Sequence, residues 1–350
     1  MVIGSALGVL RGRKRLLTFN TGSHSMAAKK GTPKTTAKKA TSRAKPKAKA
    51  IPAVRTIRYH LTNSAGAPGT ESSHYIDLAR DLSILNRRLY RQGRDYHVKR
   101  VTVVSSDTPN GGNRISVSTV PFNWVSQKAY QRAYRTWREM NKTATSQIAG
   151  DIQGTWADFK VYMDVDHRSA TLARPLDNGS NQYDLGEWDY SSLVTPDGTT
   201  SADDFNLHML GDHLGVVGAW NSVGLIKSFG ESRATVNQGS PNVPGTAADD
   251  PLVNVFDYGT AVDEVVDILE FSNDSPPYDI DEYPGDDTNG PKPAVVHDTV
   301  IIDGRASMSG FSAFCGILEF EIKSQVPSDV YSVLIELAPG KYRGIKAEAI

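Results

Sequence analysis

Two runs near the end of the chain decide the fold: CGILEFEIKS at residues 315–324 and VYSVLIELA at residues 330–338. Other short β-rich runs lie upstream between clusters of turn residues, namely WADFKVYMDVD (156–166), LGEWDYSSLV (185–194), FNLHMLGD (205–212), SVGLIKSF (222–229) and AVVHDTVIID (294–303). Roughly eight to ten short strands with long polar connections indicate an antiparallel β-sandwich or jelly roll rather than an alternating βαβ fold. We therefore expect an all-β protein, an antiparallel sandwich or jelly roll with a few inserted helices.

The segments between residues 74 and 142 contain the predicted helices. Residues 74–93 have leucines at helical spacing, although their first residues also fit a strand. Residues 123–142 carry a broad apolar and aromatic stripe with cations on much of the remaining surface, which predicts a second helix. Its cations are either solvated or directed toward a polyanion. Between the helices, 97–106 and 113–120 read as strands, and the turn residues TPNGG join them, so we expect a hairpin.

Charge is distributed very unevenly along the chain. The 350 residues contain 39 Lys or Arg and 39 Asp or Glu, so the formal net charge is zero. Residues 1–70 hold 15 basic residues and no acid, whereas residues 71–350 hold 24 basic residues and all 39 acids, a net charge of −15. Such asymmetry suggests a nucleic-acid or membrane partner for the basic part. No stretch approaches the roughly 18 apolar residues of a membrane span.

We predict a disordered basic arm over residues 1–54 and a folded domain over residues 55–350. The stretch AKKATSRAKPKAKA (37–50) has almost nothing that could form a core, so burial cannot offset its chain entropy. Contacts between its cations and phosphates would release counterions, which favours binding of nucleic acid without sequence preference. A solvated, solubilising tail is the simpler alternative.

The candidate nucleic-acid-binding residues are the cations of the arm and of the first strand. They are Arg11, Arg13, Lys14, Arg15, Lys29, Lys30, Lys34, Lys38, Lys39, Arg43, Lys45, Lys47, Lys49, Arg55 and Arg58. The stretch GSHSM at 22–26 resembles an expression-vector scar ahead of an original start at Met26. If so, the first four of these cations do not belong to the native arm.

The sequence gives little support for catalysis. It lacks a phosphate-binding G-x-x-x-x-G-K-[ST] loop, an H-E-x-x-H helix, a C-x-x-C pair and a G-x-S-x-G elbow. The single cysteine, Cys315, lies in an apolar run and is expected to be a buried, inert thiol. In HMLGDH (208–213) one histidine lies in a predicted strand and the other in a turn, and DVDH (164–167) is interpreted as a polar turn, so neither is favoured as a metal site. We therefore expect a protein that is not an enzyme, with no catalytic residue, metal or cofactor.

One long connection is strongly acidic. Between Arg233 and Lys292 there are 13 Asp or Glu and no Lys or Arg. Because this segment would repel nucleic acid, we expect much of it to be an outer, solvent-facing surface. DIDEYPGDD (279–287) has enough carboxylates for a divalent-cation site, but its spacing fits no EF-hand and an exposed acidic loop is the favoured interpretation.

A set of segments across roughly residues 75–215 resembles the capsid proteins of small circular single-stranded DNA viruses, with the bacilladnavirus-like group closest. The segments are LNRRLYRQGRDYHVKRVTV, PFNWVSQKAYQRAYRTWREMN, DFKVYMDVDH, GEWDYSSLV and FNLHMLGDH. The resemblance implies a single jelly-roll coat protein that assembles with itself into an icosahedral shell, for example of T=3 geometry, with the basic arm facing packaged single-stranded DNA. It also implies location in the virion and, during assembly, in the host cell or its nucleus.

The related nodavirus coat proteins can cleave themselves at an Asn-Ala bond near the C terminus. This chain has no Asn after Asn289, so self-cleavage is not expected. Two other functions remain open. The basic arm also resembles linker-histone tails, which indicates a cellular chromatin-associated or RNA-binding protein. A jelly-roll glycan-binding module with an incidental tail is the third possibility.

Overall fold

The computed structural model describes residues 52–63, 69–105, 112–146, 157–194, 204–216, 219–237, 252 and 293–350. The predicted arm up to residue 51 and nearly all of the acidic segment 249–287 lie outside these described residues. Among the described residues, no helix combines the length and the apolar character needed to cross a membrane.

The described chain is mostly β-sheet. Its strands are β1 Thr56–Thr62, β2 Glu71–Asp77, β3 Arg94–Val104, β4 Arg114–Thr119, β5 Ser192–Val194, β6 Asp204–His208, β7 Leu214–Val216, β8 Ala219–Gly224, β9 Ala294–Val300, β10 Arg305–Met308, β11 Phe311–Ala313, β12 Ile317–Lys323, β13 Val330–Leu337, β14 Pro339–Gly340, β15 Gly344–Ile345 and β16 Ala347–Ala349. Its helices are α1 Leu78–Asn86, α2 Trp124–Ser146, α3 Val165–Ser169 and α4 Leu225–Asn237.

Two antiparallel sheets form the centre of the fold. The first has the order β1-β13-β3-β10, with β11 and β16 also paired to β3, and the second has the order β2-β12-β4-β9. The pairs are nested along the chain: β1 pairs with β13, β2 with β12, β3 with β10 and β4 with β9. The eight strands therefore pair like one long hairpin whose successive strand pairs alternate between the two sheets.

Alternation of side chains explains why these sequences form half-buried strands. In β13, Tyr331, Val333 and Ile335 are buried, whereas the residues between them are less buried. Successive strand residues point to opposite faces, so one face of each sheet turns toward a shared core. Phe320 and Ile322 of β12 reach that core from the second sheet.

The predicted hairpin between 97–106 and 113–120 is wrong, although both strands exist. β3 and β4 lie in different sheets and do not pair with each other. Val103 of β3 and Val117 of β4 both belong to the core between the sheets. Consecutive strands with one apolar face each can bury those faces by facing one another across a sandwich, and the alternating sequence pattern does not distinguish this from pairing.

The long insertion between β4 and β9 adds a second layer. It contains α2, α3, α4 and a small sheet of order β5-β6-β8-β7, in which β6 and β8 are parallel. A second apolar cluster joins α2 and this sheet to Tyr75 and Ile317 of the second sheet. The insertion therefore packs on the outer face of that sheet, the face opposite the core between the sheets.

The insertion is less regular than the sequence predicted. Within 156–166, the described part forms only an isolated bridge from Tyr162 to His208, followed by α3. The carboxylate of Asp164 accepts a hydrogen bond from the backbone N–H of His167, so it caps a short helix where a strand was expected. Within 185–194, only Ser192–Val194 is a strand.

A buried carboxylate joins the central sheets to the insertion. Asp77, which ends β2, caps α1 by accepting hydrogen bonds from the backbone N–H groups of Ala79 and Arg80 at 3.0 and 3.1 Å. Its other oxygen accepts from Gln92 Nε2 at 3.2 Å and from Trp188 Nε1 at 3.0 Å. Burial raises the pKa of Asp77, while neighbouring Arg80 and these donors lower it.

Candidate nucleic-acid interface

Only two of the predicted nucleic-acid-binding residues lie in the described chain. The thirteen cations from Arg11 to Lys49 lie outside it. Arg55 is exposed immediately before β1. Arg58 is half-buried, and its guanidinium donates hydrogen bonds to the carbonyl of Asp177 at 2.7 Å and to the hydroxyl of Ser180 at 2.9 Å. Arg58 thus helps to hold the 175–183 loop on the first sheet.

The described chain begins beside the end of α1, at a place we call the arm root, residues 52–55. The side chain of Asn86 bonds both backbone groups of Val54, accepting from its N–H at 2.7 Å and donating to its carbonyl at 3.1 Å. Arg88 donates to the carbonyl of Pro52 at 3.3 Å. The backbone that leads to the predicted arm is therefore tied to the turn after α1.

That turn is rich in arginine and meets a second basic turn from the end of the chain. Residues 87–94 read RRLYRQGR and residues 341–346 read KYRGIK, and neither contains an acid. The Tyr90 hydroxyl donates to the Arg343 carbonyl at 2.9 Å, and the Tyr342 hydroxyl accepts from the Arg91 N–H at 3.0 Å. Seven cations from two distant parts of the sequence are thereby gathered beside the arm root.

Aromatic rings fix the two turns in place. Tyr90 and Tyr342 meet edge to face with their ring centroids 5.8 Å apart, and Tyr96 contacts the same Tyr342 ring. The guanidinium of Arg94 lies 3.7 Å from the centroid of the Tyr342 ring, and that of Arg343 lies 5.8 Å away. A largely buried aromatic cluster thus supports cations at the surface.

The electrostatics of this region favour an anion. Arg91 forms an ion pair with Asp158 at 3.0 Å, but Arg87 and Arg88 make no ion pair with any described residue. Asp184 and Glu187 line the same shallow cleft as Arg87 without pairing with it. Over the described residues, 25 Lys or Arg stand against 22 Asp or Glu, so the excess of acid in residues 71–350 comes from segments outside them.

A second cationic surface lies on α2. Of the predicted apolar stripe, Ala129, Tyr130 and Ala133 are buried, whereas Trp124 and Tyr134 are exposed. Its solvent side exposes Lys128, Arg135, Arg138 and Lys142, of which Lys142 bonds to Glu139 at 3.4 Å. Because α2 covers the outer face of the second sheet, this surface lies on the opposite side of the sandwich from the first sheet.

The histidines considered as metal ligands have other partners. The ring nitrogens of His208 lie 2.8 Å from the Ser222 hydroxyl and 2.8 Å from the Asp212 carbonyl. His213 lies 3.1 Å from the Glu231 carboxylate and accepts from the Gly224 N–H. Burial lowers the pKa of His208 to about 4 and that of His167 to about 3. In the described part of the chain, no group of three potential ligands is arranged for a metal ion.

Cys315 is fully buried, and burial raises its pKa well above the ordinary value. A thiol of this kind is a packing residue rather than a nucleophile. It lies in the second apolar cluster with Phe314 and Ile317.

Sequence reasoning assigned the polyanion site to the arm and missed the two basic turns at its root. The available signal was the local charge density of RRLYRQGR, which was interpreted only as the end of a helix. No protein-family model, curated protein or solved structure matches this chain. The strand order, the surface and the charge are therefore the features that bear on function.

Proposed function

We propose that this chain is a viral capsid protein without enzymatic activity. Its copies associate into a closed icosahedral shell, and its basic arm packages nucleic acid, single-stranded DNA in the virion. The observation that carries the proposal is the nested order of the eight central strands, which follows directly after a polycationic segment.

The strand order supports a single jelly roll. A jelly roll consists of eight antiparallel strands in two sheets that are related by Greek-key connections. Here the first and last of the eight strands pair, as do the second and seventh, the third and sixth, and the fourth and fifth. This fold occurs in viral capsids, in lectins and in cupins. The arm and the surface must therefore decide among these functions.

The surface supports self-association at one end of the sandwich. Exposed apolar side chains gather where β3 and β9 end and β13 begins, with 38–69% of each side chain accessible: Val104, Val300, Ile302, Val326 and Val330. Exposed apolar patches mark interaction surfaces. In a shell, several copies would bury this end against one another around a symmetry axis.

The basic turns and the exposed apolar residues lie at opposite ends of the subunit. β1 starts beside the end of β13, since Leu337 donates its N–H to the Arg55 carbonyl at 2.8 Å, and it finishes beside Val330. The arm root and its basic turns therefore lie at the end opposite the apolar residues. A subunit whose basic turns lie at the end opposite this apolar cluster suits a shell that encloses a polyanion.

Negative-stain electron microscopy of the purified full chain tests the proposal. Homogeneous closed shells are the expected result. A chain that stays monomeric at every concentration and still binds nucleic acid would refute it and would favour the chromatin-like or RNA-binding alternative. A monomer that binds neither itself nor nucleic acid would also refute it.

A further inference from the structure

Two basic turns, residues 87–94 and 341–346, lie side by side at the arm root. The most basic part of the folded surface thus adjoins the segment that the proposed function assigns to nucleic acid. If these cations served only the fold, each should have an acidic partner or a carbonyl to satisfy. Arg91 does, since it bonds to Asp158, whereas Arg88 and Arg343 each give one guanidinium nitrogen to a carbonyl, of Pro52 and of Leu89, and form no ion pair with a described acid.

Arg87 has no such partner among the described residues. It occupies the C-cap position of α1 with φ of 52°, a left-handed conformation that is normally taken by glycine. Arg343 has φ of 50° in the other turn. Left-handed backbone is costly for a residue with a side chain, and such strain concentrates at functional sites. Arginine at these two positions is therefore unfavourable for stability, whereas its charge suits the binding of an anion.

The chemistry of the set fits phosphate. A guanidinium presents a planar fork of donors that matches two phosphate oxygens, and it stays charged at every physiological pH. The Tyr90, Tyr96 and Tyr342 cluster holds the turns without exposing a ring face broad enough for base stacking, since Tyr90 and Tyr96 are fully buried. Such a surface would contact the backbone of a nucleic acid and not its bases.

We propose that Arg87, Arg88, Lys341 and Arg343 form a fixed phosphate-binding platform that takes the phosphodiester backbone of single-stranded nucleic acid where the arm leaves the folded domain. This inference rests on the proposed function for the identity of its partner. The platform gives the strand a rigid contact in addition to those of the arm.

Two double substitutions of arginine by glutamine in the full chain test the platform. Arg87→Gln with Arg88→Gln removes two cations from it, and Arg135→Gln with Arg138→Gln removes two equally exposed cations from α2. Binding of a labelled single-stranded oligodeoxynucleotide of mixed sequence is measured over a salt series, at protein concentrations at which microscopy shows no particles. Each lost phosphate contact lowers the log–log salt slope by about 0.7, so the platform pair should lower it by about 1.4.

We expect the α2 pair to leave the slope unchanged. An unchanged slope in the platform pair, or equal changes in both pairs, would overturn the platform. So would loss of binding to phosphatidylserine vesicles by the platform pair with oligonucleotide binding intact, because the partner would then be a membrane. Failure of the unaltered chain to bind the oligonucleotide would refute the proposed function as well, whereas an unchanged slope in a chain that binds refutes only the platform.

Arg87→Gly separates binding from folding. Glycine relieves the left-handed backbone, so the thermal unfolding midpoint should rise while oligonucleotide affinity falls. Ser328→Gly is the matched control, since Ser328 has φ of 53° and lies in the turn before β13, at the apolar end. It should raise the midpoint and leave affinity unchanged. Retention of full affinity by Arg87→Gly would contradict the role of Arg87.

Discussion

Replacing Glu319 with glutamine should remove a large part of the pH dependence of stability. Glu319 lies on β12, on the face of the second sheet that the insertion covers, and it is 7% exposed. The hydroxyls of Ser73 and Tyr75 lie close enough to its carboxyl to lower its pKa. The Tyr75 hydroxyl also lies 3.3 Å from the carboxylate of Asp164. Two carboxylates thus approach one tyrosine at the boundary between the sheets and the insertion.

The magnitude follows from the pKa of this carboxyl. Burial, and then the negative charges of Asp164 and Glu321, raise the pKa of Glu319 from 4.5 to about 7. Between these values the folded protein holds a proton that the unfolded chain has released, so stability falls as the pH rises through this window. The full difference between the two pKa values corresponds to a loss of about 3 kcal/mol in the free energy of unfolding above pH 7.

Urea unfolding at pH 5 and pH 8 measures the effect. Between the two pH values, the free energy of unfolding of the unaltered chain should fall by up to about 3 kcal/mol more than that of Glu319→Gln. Because other groups titrate in both proteins, including Asp81 with its pKa raised by burial to about 6, only the difference between them is diagnostic. Because the charge of Glu321 contributes to that raised pKa, Glu321→Gln should remove only a smaller part of the pH dependence. Equal pH dependence in Glu319→Gln and the unaltered chain would show that the carboxyl of Glu319 does not contribute to it.

Three further predictions concern the joint, the arm and the shell. Asp77→Ala removes the cap of α1, leaves the Trp188 indole N–H without its acceptor and takes away one of the two acceptors of Gln92 Nε2, so it should lower the free energy of unfolding in urea by about 3–5 kcal/mol; a loss below about 1 kcal/mol would contradict this. Removal of residues 1–51 should abolish packaging, measured as the ratio of nucleic acid to protein in purified particles, and leave the unfolding midpoint unchanged; full packaging would exclude the arm. The melting temperature of filled particles should fall as salt rises, because salt screens the attraction between arm and nucleic acid; a flat or rising value would show that contacts between subunits dominate.

Strand identity could be predicted from sequence where burial alternates. The runs that contain β12 and β13 gave strands within a few residues of their predicted limits. The pairing of β3 could not be predicted in the same way, because alternation gives the buried face and not the neighbour. Its partners β13 and β10 lie more than 200 residues away in the chain.

The basic turns illustrate the same limit at the candidate site. The sequence around Arg87 shows charge, but the contact with Arg343 depends on a hydrogen bond from Tyr90 across more than 250 residues. At residues 156–166 the local apolar character predicts a strand, but a single capping residue, Asp164, favours a short helix. Local pattern therefore predicted elements, whereas long-range contacts determined the site.

The capsid proposal is best tested by sedimentation of the purified full chain after nuclease digestion. This single experiment shows whether the chain closes into a shell and whether the shell encloses nucleic acid. We predict a single fast boundary that absorbs as nucleic acid as well as protein, since the strand inside a closed shell is protected. A slow boundary of monomer, free of nucleic acid after digestion, would contradict the account.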